Sequence, residues 1–244
     1  MSAMSACPTA AAATIRSATP DAPTATATLP NARASAHRLA QQQTKLMLKF
    51  YEGQNVSPSR CGQGQGAAGV AGVFLLPVLS FTPGDRTLTC RTIARSVLVD
   101  LGGFVITQDN RFPDSSYPLG GVLVPFTAEN LEPICDDVIA QGFLGDPVPA
   151  TLDGYRTLTA SALNSGLFTA RVNRHAQIPG GADLYADSVA VGHPGQLATV
   201  YCGYKTQVFL RPGQHQIVVD YSGLFGGTST VFTYNITVHA PHHS

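Results

Sequence analysis

The chain has 244 residues, and its 15 Lys and Arg balance 15 Asp and Glu, so no net field draws it to nucleic acid or to an anionic membrane. Charged residues make up 12% of the sequence against roughly 25% in an average soluble protein, while 44% are hydrophobic. That excludes disorder throughout and provides for a sizeable core. The 24 Gly, 17 Pro and scattered clusters of Thr, Val and Tyr predict a mostly β body of short strands joined by many turns.

Residues 1–36 carry mainly methyl and hydroxyl side chains broken by Pro8, Pro20, Pro23 and Pro30, and cannot bury enough apolar surface to offset ordering. A disordered leader is expected there. Its Arg16, Arg33 and Arg38 with a single early acid, Asp21, match a plain flexible leader or an organelle transit segment, and no apolar block of secretory-signal type is visible. No run approaches the roughly 18 apolar residues of a membrane span. From Ala36 to Tyr51 the spacing of Leu39, Leu46, Met47 and Phe50 fits a helix, and Leu46, Leu48 and Phe50 fit a strand face. Gly, Pro, Asn and Ser make 52–69 a loop.

Strand-sized runs follow at 70–81, 86–93, 95–101 and 103–108, each closed by turn residues. The segment RFPDSSYPLGG (111–121) is expected to be a long loop. One helix is predicted from Ala128 to Gln141, capped by Thr127, with Leu131, Ile134, Cys135, Val138 and Ile139 on one face and Gly142 at its end. Asp153-Gly154 between two extended runs is a hairpin signal, because both central positions of a type I′ turn need positive φ. Further strands are expected at 166–172, 183–191, 198–210, 215–221 and 228–238, with a bend at Cys202-Gly203. In the last of them Phe232, Tyr234, Ile236 and Val238 form the inner face.

The sum is about ten strands and one inserted helix, which predicts a mostly β fold: an antiparallel two-sheet sandwich, jelly-roll or immunoglobulin-like in style. Residues 37–239 form its single domain and 240–244 a His-containing tail.

Cys7 lies in the leader, leaving Cys61, Cys90, Cys135 and Cys202, which allow three pairings or four buried free thiols. No Cys/His array has zinc spacing, and no resident metal or other cofactor is expected. A calcium site drawn from Asp109, Asp114, Asp183 and Asp187 is the weaker alternative. The sequence has no G-x-S-x-G elbow, and the adjacent Asp136 and Asp137 would point about 100° apart on a helix, so they cannot flank one bond as a glycosidase pair. Asn55 and Asn235 head N-glycosylation tripeptides, usable only in a glycosylating secretory pathway.

The order RCGQGQ, VFLLPVLS, RTLTCRTIARSVLVDL, ENLEPICDDVI, ATLDG, VFLRPGQHQIVVDYSG and VFTYNITV resembles a widespread group of small secreted bacterial proteins across about residues 60–239. In that group a cysteine loop, a Thr-Cys strand, a helix, a Leu-Asp-Gly hairpin and a Pro-Gly-x-His hairpin follow one another. The resemblance implies a β-sandwich, an extracellular or cell-surface location, and Cys61–Cys90 and Cys135–Cys202 bridges. It implies no catalytic residue. Thr92-Ile93-Ala94-Arg95 departs from the group's Pro-Ala-Gly-Lys turn, and the group's export signal is not seen. An organelle, reached by a transit-like leader, is the alternative location.

Carbohydrate binding needs aromatic platforms, and with no Trp the candidates are Tyr185, Tyr204 and Tyr221, joined by His215 at a hairpin exit. The function expected is non-catalytic: binding a glycan, a protein partner or further copies of the chain through loops. Two alternatives stand beside it. One is a polysaccharide-acting enzyme with a loop-built site from Asp109, Asp114, Tyr117, His175 and His193; the other is a jelly-roll coat or shell subunit.

Overall fold

The computed structural model describes residues 30–51, 73–76, 84–111, 114–174 and 183–240, with the side chains of 36–48 in its first helix. The leader to residue 29, the loop at 52–69 and the tail beyond 240 lie outside them. In chain order the elements are α1 (Pro30–Tyr51), β1 (Val73–Leu75), β2 (Arg86–Thr92), β3 (Ser96–Thr107), β4 (Ser116–Leu119) and β5 (Val122–Pro125). Then come α2 (Ala128–Ala140), β6 (Ala150–Leu152), β7 (Arg156–Thr157), β8 (Ala162–Asn164), β9 (Phe168–Arg171), α3 (Leu184–Ala190), β10 (Gln196–Phe209), β11 (Gly213–Asp220) and β12 (Val231–Val238). The chain is mostly β, as composition predicts.

The first sheet has the order β1-β3-β10-β8, with β9 also on β10; the second has the order β2-β12-β11-β6-β7; β4 and β5 form a separate hairpin. Both sheets are mixed. β1 pairs with β3 and β2 with β12 in parallel, which corrects the purely antiparallel expectation. The reason is connectivity: β2, between β1 and β3 in sequence, belongs to the other sheet, so the chain returns to β3 running in the direction of β1.

Period-two alternation puts Phe232, Tyr234, Ile236 and Val238 of β12, and Leu88 and Cys90 of β2, into the interior. They join Val97, Val99, Leu101 and Val208 of the first sheet in one apolar cluster, so side chains from both sheets share a core. Edge-on aromatic contacts, Tyr221 to Phe232 at 5.2 Å and Phe232 to Tyr234 at 6.3 Å between centroids, run through it.

Among the described residues three α-helices, not one, are formed. α1 realises the helical alternative for 36–51 and starts at Pro30, inside the stretch expected to be leader. The run 183–191 is helical rather than extended: the Asp183 carboxylate accepts from the Ala186 N–H at 2.9 Å and caps α3. α2 matches its predicted span to within a residue, although the Thr127 side chain makes no capping bond to the backbone. All three pack on the first sheet. Leu39 lies with Val73, Leu75 and Leu98; Met47, Leu48 and Leu184 lie with Phe168 and Leu197; Leu131, Ile134 and Val138 lie with Ile106 and Val200. Cys135 of α2 and Cys202 of β10 form a disulfide, Cα atoms 5.6 Å apart.

The expected break between 95–101 and 103–108 is absent, and β3 runs through it. Gly103 and Gly203 are register partners, and a Cβ on either would collide with the Tyr201 hydroxyl and the opposing backbone. Glycine is needed here for close approach, not for a turn. The register shifts between Gly203 and Lys205, at the predicted bend. Part of the expected 111–121 loop is instead the β4–β5 hairpin, turned at Gly120-Gly121 with φ of 58° and 83°.

Candidate functional site

The described helices pack on the first sheet and none of them covers the outer face of the second, which its sequence makes polar. The residues of β2, β12 and β11 that alternate with the core positions are Thr89, Asn235 and Gln216 in one cross-strand row, and Arg91, Thr237 and Gln214 in the next. The Gln216 amide donates to the Asn235 carbonyl oxygen at 3.1 Å, fixing both heads. A groove of about 670 Å³ is lined by Thr89, Asn235, Gln216, Thr237 and Gln214 together with Asp153, Gly154 and His215. It offers amides and hydroxyls that both donate and accept, on strands rather than loops.

The Asp153-Gly154 turn has the predicted positive φ values, 53° and 75°. It is tied to β11: Asp153 Oδ1 accepts from the Gln216 N–H at 2.8 Å, and Oδ2 lies 2.9 Å from His215 Nδ1. The other ring nitrogen of His215 lies 2.8 Å from the Arg211 carbonyl oxygen. Both ring nitrogens face acceptors, the arrangement of an imidazolium donating twice. Burial works to lower the His215 pKa, but the Asp153 hydrogen bond, the Arg211 carbonyl and the Asp153 charge outweigh it and leave it raised. Burial likewise works to raise the Asp153 pKa, and the bonds from His215 and the Gln216 N–H bring it down.

The His215 contribution is complete below the unfolded value near ~6.5 and is lost as pH rises through the raised folded value; that of Asp153 is complete above ~3.9 and is lost as pH falls through the lowered one. Melting curves of the wild type and His215→Gln are therefore expected to differ most between about pH 4 and 6.5, converging at higher pH. A gap that does not change from pH 5 to 9 would show that the pair is not ionic.

This geometry bears on the enzyme reading. A His–carboxylate pair sits in the groove, but His215 has no ring nitrogen left to take a proton from a nucleophile. Of the residues expected in a loop-built site, Asp109 and Tyr117 share one concavity, each already engaged by a neighbour. Asp109 accepts from Arg111 Nε at 2.8 and 2.9 Å, and the Arg111 side chain holds its carboxyl below the ordinary range. The Tyr117 hydroxyl donates to Asp137 at 2.8 Å, and burial, with that bond, pushes its pKa up to about 12. Asp114 and His193 are exposed, and His175 lies outside the described residues. Among the described residues no group of three His, Cys, Asp or Glu side chains gathers to hold a cation. Asp109 and Tyr117 also line a mainly apolar concavity of about 420 Å³, walled by Phe104, Ile106, Phe126 and Phe143.

The tyrosine platform does not form as expected. Tyr221 is 5% exposed, and its hydroxyl donates to the Asp100 carbonyl at 2.8 Å inside the core. Tyr204 is half-buried against the same core with its hydroxyl on the Gly145 carbonyl at 2.7 Å, and Tyr185 is half-buried on α3. Of the binding candidates, His215 alone lines the groove. Cys135–Cys202 is formed as the resemblance implies; Cys90 is also disulfide-bonded, and Cys61 lies outside the described residues.

Two features escaped the sequence. The groove's amides carry no individual signal, because each is an ordinary outward-facing strand residue; the signal they share is the alternation that identifies their inward neighbours. The other is a buried ion pair. Lys205 Nζ touches Asp100, with side chains 2% and 5% exposed, and nothing in the spacing of 100 and 205 announces it. Comparison with protein-family models, curated proteins and solved structures finds no match for this chain.

Proposed function

We propose that the chain is a secreted or surface-associated, non-catalytic β-sandwich protein that binds a glycan along the outer face of its second sheet. The observation that carries this reading is the polar groove over Thr89, Asn235, Gln216 and Gln214. Sugar hydroxyls come in adjacent donor–acceptor pairs, and rigid amide heads on neighbouring strands meet such pairs without losing much rotamer freedom. The shared interior of the two sheets supports the sandwich, with the helices as an additional outer layer. The Cys135–Cys202 bridge supports an oxidising compartment. No described helix is long and apolar enough to cross a membrane.

The test is titration of the full chain with a panel of neutral and acidic oligosaccharides. Saturable binding is expected, weakened about tenfold or more in the Gln216→Ala/Asn235→Ala double variant, the loss of roughly 1.4 kcal/mol of contacts. The melting temperature should move little, because Gln216 is exposed and Asn235 half-exposed on the outer face. Binding that is indifferent to the double variant would place the ligand elsewhere.

A further inference from the structure

We propose that Lys205 and Asp100 become joined by an intramolecular amide bond between Lys205 Nζ and Asp100 Cγ, formed by the folded chain itself. The two residues are direct cross-strand partners on β10 and β3, beyond the register shift at Gly203. Their heads are in contact and almost wholly withdrawn from water. The site is built around them. From α1, Gln43 Oε1 accepts from Lys205 Nζ at 2.7 Å, and the Gln43 amide nitrogen is itself held on the Leu76 and Leu98 carbonyls at 2.8 and 3.3 Å. The Tyr201 ring lies over the amine, its centroid 3.7 Å from Nζ. The Gly102 N–H donates to Asp100 Oδ1 at 2.9 Å.

A separated ammonium and carboxylate are costly to hold in such a place, and a neutral amide is not. Burial lowers the Lys205 pKa and so favours the free amine, against the opposing pull of the Asp100 charge and hydrogen bond. The bond-making step balances without any added reagent. One proton passes from Nζ to Asp100 Oδ2, giving an amine and a carboxylic acid. The Nζ lone pair attacks Cγ, the C–N bond forms, and the negative charge that develops on Oδ1 is met by the Gly102 N–H. Oδ2 then leaves with its proton and a second proton from Nζ as one water molecule. The third Nζ proton stays on the new amide, directed at Gln43 Oε1. Strand pairing and the α1 cover hold amine and carboxyl together, which substitutes for chemical activation.

Peptide mapping of the full chain, reduced and alkylated, decides the matter. The expected product is a branched tryptic peptide in which 96–111 is joined to 175–244, one water lighter than the sum of its arms, because an amidated Lys205 resists trypsin and Arg211 precedes Pro212. Lys205→Arg, which retains the charge and cannot form the amide, is expected at its unmodified mass. Trypsin cleavage after Lys205 in the wild type, with both arms at full mass, overturns the proposal, and this readout does not depend on whether the variant folds. Equal water loss in Lys205→Arg also overturns it, since the loss then lies elsewhere, as at Asp153-Gly154.

Discussion

An Asp100→Ala variant is expected to lose about 3–5 kcal/mol of stability, because the Lys205 head would be left buried beneath α1 without the carboxyl that it pairs with or is joined to. Asp100 also accepts from the Gly102 N–H, so the β3 backbone beside the Gly103–Gly203 crossing loses its local anchor in the same change. Gln43 reaches the amine from α1, and the helix should loosen with the pair. Denaturant unfolding of the variant would measure the loss. Adding Lys205→Met is expected to restore part of it, since no charge is then trapped. If the single variant were as stable as the wild type, the lysine must reach water, and the buried geometry would be wrong.

The Cys135–Cys202 bridge has the second large expected effect. It spans 67 residues and fastens α2 to β10, and in the chain-entropy model closing such a loop is worth about 4 kcal/mol. Cys135→Ala/Cys202→Ala should therefore lower the melting temperature by roughly 10 °C. Both cysteines lie in the interior between α2 and the first sheet, so the same variant should speed hydrogen exchange in α2 more than in β11 and β12. Uniform acceleration through both sheets would mean that the bridge stabilises the chain only through its unfolded state.

Where a local physical rule decided the structure, the sequence was legible. The β12 alternation has one apolar face, and that face is buried residue for residue. Asp153-Gly154 turned as its chemistry requires. Misreadings occurred where a distant partner or a competing local bond decided. Residues 183–191 carry enough Val, Leu and Tyr for a strand, yet the Asp183 carboxylate satisfies an N–H that a helix would leave open, and Leu184 finds a pocket against Leu197. Gly102-Gly103 looked like a turn because the need for glycine at 103 comes from Gly203, a hundred residues away. Pro118 and Pro125 disguised a hairpin, although proline is tolerated in a two-stranded edge. Mixed sheets follow from which sheet each strand joins, and no single strand's pattern encodes that choice.

The site was legible only in part for the same reason. His215 and Asp153 were visible through their turns, but their mutual bond, and the His215 contact with the Arg211 carbonyl, depend on two hairpins meeting. The tyrosines were selected by type, and burial reassigned Tyr221 to the core.

The proposed recognition surface is the outer face of the second sheet. Amide chemical-shift mapping of the full chain with a bound oligosaccharide tests it most directly. Perturbations centred on Thr89, Gln216 and Asn235 are predicted, with the Phe104–Phe143 concavity unmoved. Shifts confined to that concavity, or none with any glycan of the panel, would contradict it.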